Sequence, residues 1–281
     1  MRMNGTTHIG RASPRQGRTD LTGVNGTSSI SLNPTDYMSA QLFSRFAAFA
    51  AFASASLLAS AEAVKPDQPT VLFNGHDLAG WVQFTKDGPP PAGTWEVADG
   101  VIKCSGNPNG YIRTGNRYRD YRLTVEWRWM GPAPVDNAGR LRTRNSGVIL
   151  HVQPPDAIWP MGIEAQLMEK NAGDFWVIGG VETVEHARLV EQAVAAAGAD
   201  ENKVKNARGN RRTPKANASA EKPPGEWNTY DIVCASDTVT LRVNGVEQNR
   251  ATGITVREGH ICLQSEGALI EFRNVKLEPL K

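Results

Sequence analysis

The chain has 281 residues, 31 of them basic and 29 acidic, for a formal net charge of +2. Hydrophobic residues make up 40%, enough for a full core, which excludes a chain disordered throughout. The near-balanced charge gives no general electrostatic reason to expect nucleic acid or an anionic membrane as partner, and three cysteines are too few for a disulfide framework.

Residues 1–37 are polar, rich in Gly, Ser, Thr and Asn, and show no hydrophobic period; they read as a disordered or misassigned leader, with translation starting at Met38. Arg45 then precedes a short apolar run at 46–59 that ends in Ala59-Ser60-Ala61 or Ala61-Glu62-Ala63. A basic flank, a short apolar segment and small residues at a cleavage point define a secretory signal peptide, here 38–63. The run falls short of the roughly 20 apolar residues of a membrane span, so no stable span is expected after cleavage. No cysteine follows to carry a lipid. A periplasmic or secreted protein is expected, with one domain over 65–281.

From residue 95 onward, strands dominate. Trp95–Lys103 holds a turn at Asp99-Gly100, and Tyr121, Leu123, Val125, Trp127 and Trp129 alternate with Arg122, Thr124, Glu126 and Arg128. That period of two marks a strand apolar on one side and charged on the other. Further strands are expected at 146–153, 162–168, 174–178, 227–234, 259–264 and 268–278. Val239, Leu241 and Val243 repeat the alternation before Asn244-Gly245, a two-residue hairpin signal. One helix is expected at 182–197, inside a surface insertion over 181–224 whose Arg208, Arg211 and Arg212 read as a solvated basic loop. The pattern is all-β, a sandwich or barrel rather than an α/β fold. Cys104, Cys234 and Cys262 read as buried thiols; Cys234 with Cys262 is the one pairing considered.

The chain lacks HExxH, a Walker loop, GxGxxG after a strand and a GxSxG elbow. Two neighbouring segments carry the polar candidates. In Asn145–Val152, alternation puts Val148, Leu150 and Val152 on one face and Ile149 and His151 on the other. In Met161–Glu169, Ile163, Ala165 and Leu167 face the core, leaving Glu164, Gln166 and Met168 opposite. A connection as short as 153–160 brings such strands close, so Glu164 and His151 are expected to meet on one sheet face. A histidine beside a carboxylate carries protons near neutral pH.

Several segments resemble the bacterial 3-keto-disaccharide hydrolase domain family. They run in order from Leu72-Phe73-Asn74-Gly75 through Gly80-Trp81, Tyr121-Arg122-Leu123, Asn145-Ser146-Gly147 and Ile163-Glu164-Ala165-Gln166-Leu167. Gly225-Glu226-Trp227-Asn228, Ile261–Gly267 and Phe272-Arg273-Asn274-Val275 follow. The resemblance covers about residues 69–279. It implies a concanavalin A-like jelly roll of two curved antiparallel sheets, with sugar chemistry on the concave face. The activity it implies is cleavage of 3-keto-glucosides: the C3 carbonyl acidifies the C2 proton, a base removes it, and the enolate expels the glycosidic oxygen. Water adds afterwards, completing a net hydrolysis.

On that resemblance Glu164 and His151 are the catalytic candidates, one as base and the other orienting it or serving as acid. Asn145, Gln166, Gln264 and Glu266 would hold sugar hydroxyls, Arg113 would stabilise negative charge, and Trp159 and Trp176 would form a stacking surface. No cofactor is required by any motif; calcium is the metal considered, with Asp174, Glu164 and Glu266 as ligands. Two other readings stay open. One is a non-catalytic glycan-binding module. The other is a retaining glucanase using Glu164 and Glu169, a pair that shares a face only if a bulge intervenes.

Overall fold

The computed structural model describes residues 62–281; the leader and all but the last two residues of the expected signal peptide lie outside them. Two antiparallel sheets form the body. The first orders its strands as β13 (Val246–Ala251), β12 (Thr238–Val243), β11 (Asn228–Ala235), β6 (Tyr121–Trp129), β15 (Ile270–Pro279), β4 (Val101–Cys104) and β3 (Trp95–Ala98). The short β1 (Thr70–Val71) also pairs with β15. The second orders β10 (Arg212–Thr213), β9 (Phe175–Ile178), β8 (Gly162–Gln166), β7 (Gly147–Val152), β14 (His260–Ser265), β5 (Gly110–Thr114) and β2 (Trp81–Thr85). This is the expected all-β jelly-roll sandwich.

The alternation seen in the sequence explains how the sheets face each other. Along β6, Tyr121, Leu123, Val125, Trp127 and Trp129 are all buried. They pack in one cluster with Val148, Leu150, Ile163, Ala165, Phe175, Val177 and Leu263 from the second sheet. The alternate residues of β6 point outward and pair across strands: Arg122 with Asp231, Arg128 with Glu271, and Glu126 with Arg273. Asp99-Gly100 and Asn244-Gly245 form the predicted turns, with φ of 57° and 74°, and 49° and 83°. Positive φ at both residues is the backbone a two-residue hairpin demands.

The insertion contains the expected helix, α1 (Val184–Ala197), and also a second, α2 (Glu201–Gly209), where only a polar loop was expected. Asp200 caps α2 by accepting from Lys203 N, and Thr183 caps α1 by accepting from His186 N. His186, near the start of α1, is buried and hydrogen-bonds Thr213 Oγ1 and Asn210 O. It ties the helices to β10. Among the described residues no helix is long and apolar enough to cross a membrane.

The three cysteines are free and buried. Cys234 lies in the cluster between the sheets, whereas Cys262 lies in a second cluster with Tyr111, Ile149 and Val152 on the other face of its sheet. A Cys234–Cys262 bridge is therefore ruled out: the second sheet stands between the thiols.

Candidate active site

Glu164, Gln166 and Trp176 have the opposite parity to the core residues Ile163, Ala165, Phe175 and Val177, so they emerge on the outward face of the second sheet. There they line a cleft of ≈ 430 Å³ together with Asn145, Trp159 and Glu266. Trp176 is Glu164's direct neighbour across β8 and β9. Asn145 precedes β7 and Glu266 follows β14, so both stand where their strands end at the cleft.

Glu164 is 4% exposed and its Oε1 has no hydrogen-bond partner. Burial, with Glu266 close by, pushes its carboxyl up to about 8. Burial also raises Glu266, to about 7, partly offset by a hydrogen bond from Asn145 and by the Arg142 cation. Two carboxyls in one low-dielectric cleft resist double ionisation, so at neutral pH the pair holds a proton. Gly147 makes this packing possible. A Cβ there would stand 2.8 Å from Glu164 Cγ, so only a residue without a side chain lets Glu164 lean over β7.

Other polar groups around the pair are set by local structure. Gln166 Oε1 accepts from the backbone N–H of Leu167 and Met168, both at 2.9 Å, which leaves its amide nitrogen as its free polar atom. Asn145 Oδ1 and Gln264 Oε1 are buried without partners. Gln264 sits on the outward face beside Tyr111 but outside the cleft lining. Such groups carry a desolvation cost that a bound polar ligand relieves.

His151 is not with them. The ladder between β14 and β7 shifts register between His260 and Cys262, and His151 has φ of 55°. This bulge flips the parity of the strand end. Val152 joins Ile149 on the outward face, and His151 turns inward against the Tyr121 ring at 5.9 Å, with Nδ1 on Val256 O at 2.9 Å. It is 1% exposed, and burial pushes its imidazole down to about 4. The expected meeting of His151 and Glu164 on one face therefore does not occur.

Arg113 also stands apart from the cleft lining. It forms a two-pronged pair with Asp156, Nε to Oδ1 at 2.8 Å and Nη2 to Oδ2 at 3.1 Å, and Tyr111 Oη donates to the same carboxylate. Asp156 belongs to the 153–160 connection, so the pair pins to the sheet the loop that presents the half-exposed Trp159. Glu169, the second carboxylate of the glucanase reading, pairs with Arg144 Nη1 at 2.9 Å and is also absent from the lining. Asp174 bonds Arg212 Nε and Lys215 N rather than joining Glu164 and Glu266. No group of three or more His, Cys, Asp or Glu able to hold a metal ion occurs among the described residues. One cleft residue came from an unexpected quarter. Arg211, assigned by its basic neighbours to a solvated loop, lines the cleft wall.

The model of the 3-keto-alpha-glucoside-1,2-lyase-like domain matches residues 68–278. The chain belongs to this family. The search of curated proteins found no match to the chain. Among solved structures it is similar to a protein from Parabacteroides distasonis ATCC 8503 assigned as a glycosyl hydrolase, with 21% identity over 76% of this chain and 94% of that one, and a TM-score of 0.49. The Bacillus licheniformis β-glucanase gives 14% identity, 75% and 97% coverage and a TM-score of 0.46. The carbohydrate-binding module CBM66 from Bacillus subtilis gives 11%, 70% and 94%, and 0.43. At such identities and TM-scores these likenesses say nothing about the chemistry of the cleft. Family membership alone makes the protein a carbohydrate-acting one, of a glycoside-cleaving type.

Proposed function

We propose that the chain cleaves 3-keto-glucosides by removing the C2 proton and expelling the glycosidic oxygen from C1, with water adding to the product for net hydrolysis. The observation that carries this reading is the pair of carboxyls, Glu164 and Glu266, both held near neutrality in one cleft. Elimination next to a carbonyl needs a base for the C2 proton and an acid for the departing oxygen. Glu266 has the lower value of the two and is flanked by Asn145 and Arg142, so it carries the charge and takes the proton. Glu164, buried and protonated at neutral pH, donates to the leaving oxygen. Negative charge moves from the carboxylate to the enolate oxygen at C3, where the Gln166 amide is the donor on hand. Trp159 and Trp176 offer faces on which a pyranose ring stacks. The export signal read in residues 38–63 accompanies this proposal, since the substrate would then be met outside the cytoplasm.

The test is a rate assay on a 3-keto-glucoside and its unoxidised parent. Glu164→Gln and Glu266→Gln should each lower kcat by about 100-fold or more, and the parent glucoside should not react. Full activity in both variants, or equal cleavage of the unoxidised glucoside, refutes the assignment.

A further inference from the structure

The cleft is chemically graded across the sheet. Its carboxyls and amides belong to the β8, β7 and β14 side, Trp176 and Ile178 belong to β9, and Arg211 immediately precedes β10. Neighbouring strands are about 4.8 Å apart, so the two steps from β8 to β10 carry a ligand roughly 10 Å from the reacting bond. Between those ends the floor is apolar.

Arg211 is fixed where it stands. Its carbonyl accepts from Val177 N at 3.0 Å, and Arg212 next to it pairs with Trp176 across the ladder. Asn210 on the other side hydrogen-bonds the Arg212 backbone through its Nδ2 and Oδ1. The two adjacent arginines then differ. Arg212 gives its guanidinium to Asp174 at 2.6 Å, while the exposed Arg211 has no carboxylate partner among the described residues and borders the cleft.

We infer that the leaving group of the natural substrate is a ring bearing an acidic substituent, stacked over Trp176 and paired through that substituent with Arg211. This deepens the function proposed above and rests on it. The sugar being opened lies over Glu164 and Glu266, the departing ring covers the apolar strip, and its carboxylate, sulfate or phosphate meets the unmatched guanidinium at the far edge. Arginine presents a planar fork suited to such anions. An aromatic acid and a sugar acid share this chemistry.

Two matched pairs of substrates test it: 4-carboxyphenyl against 4-carboxamidophenyl 3-keto-glucoside, and a 3-keto-glucosyl uronic acid against its neutral hexose counterpart. Wild type should favour the acid member in kcat/KM, and that ratio should fall about tenfold in Arg211→Ala and further in Arg211→Glu. Comparing ratios between variants removes the intrinsic difference in leaving-group quality. A fall in both pairs marks any anionic ring, a fall in the phenyl pair alone an aromatic acid, and a fall in the uronic pair alone a sugar acid. Ratios that do not change overturn the inference. Should no 3-keto-glucoside react at all, the functional reading fails separately. Calorimetric binding of 4-carboxyphenyl and 4-carboxamidophenyl glucosides then decides: a preference for the acid lost in Arg211→Ala supports the contact, and equal binding to both proteins refutes it.

Discussion

Glu164 combines near-complete burial, an unpartnered Oε1 and a second carboxyl close by. Its folded value of about 8 lies above the ordinary 4.5, so between those limits the native state keeps a proton that the unfolded chain releases. Stability is undiminished below the ordinary value and falls as pH rises through the window. Glu164→Gln removes the titration. The variant should therefore melt several degrees above wild type near pH 8, with the gap closing toward pH 4.5. Thermal melts across that range check it; parallel curves would mean that the carboxyl is not buried as described. The candidate glutamates, glutamines and asparagine were legible as types, because alternation sets them on the outward face of their strands and the family resemblance falls on the same segments. Their altered acidity was not, since it arises from distance and dielectric rather than from neighbours in the chain.

Strand β7 shows where period-two reasoning ends. Alternation holds from Gly147 to Leu150, and the bulge at His151 then reverses it, sending Val152 outward and the imidazole into the core. A bulge adds one residue on one strand without any necessary mark in sequence. His151→Ala should accordingly cost about 1–3 kcal/mol of stability, through the lost bond to Val256 O and the space vacated beside Tyr121. It should leave kcat of the folded protein unchanged; a large loss of kcat at preserved Tm would return His151 to the chemistry. Gly147 makes the opposite forecast. A methyl group there displaces Glu164, so Gly147→Ala should lower kcat by about 100-fold in a protein whose circular dichroism is native. Wild-type turnover would show that Glu164 can move aside without consequence. The same residue could be recognised in the sequence only as part of Asn145-Ser146-Gly147. Its reason lies in the neighbouring strand.

The two sheets share one contiguous core running from Phe73 to Leu277, and among the described residues no apolar cluster serves one sheet alone except the small group around Tyr111 and Cys262. Neither sheet can therefore lose its partner and stay folded. Heating residues 62–281 should give one calorimetric transition, with calorimetric and van't Hoff enthalpies in agreement; two separated transitions would contradict a shared core. The insertion contributes in a different way. Its helices add little to that core, yet they hold β10 and bring Arg211 to the cleft, a placement hidden in a run of basic residues. By itself the sequence determined the sandwich, most of its strands, its hairpin turns, its family and the face that bears Glu164 and Gln166, because alternation and turn chemistry are local properties. The tertiary structure alone decided that Glu266 rather than His151 accompanies Glu164, that Arg113 anchors the Trp159 loop, and that Arg211 borders the cleft. Each of these depends on strand register, a bulge or a long-range pairing, and such relations join residues that the chain keeps far apart.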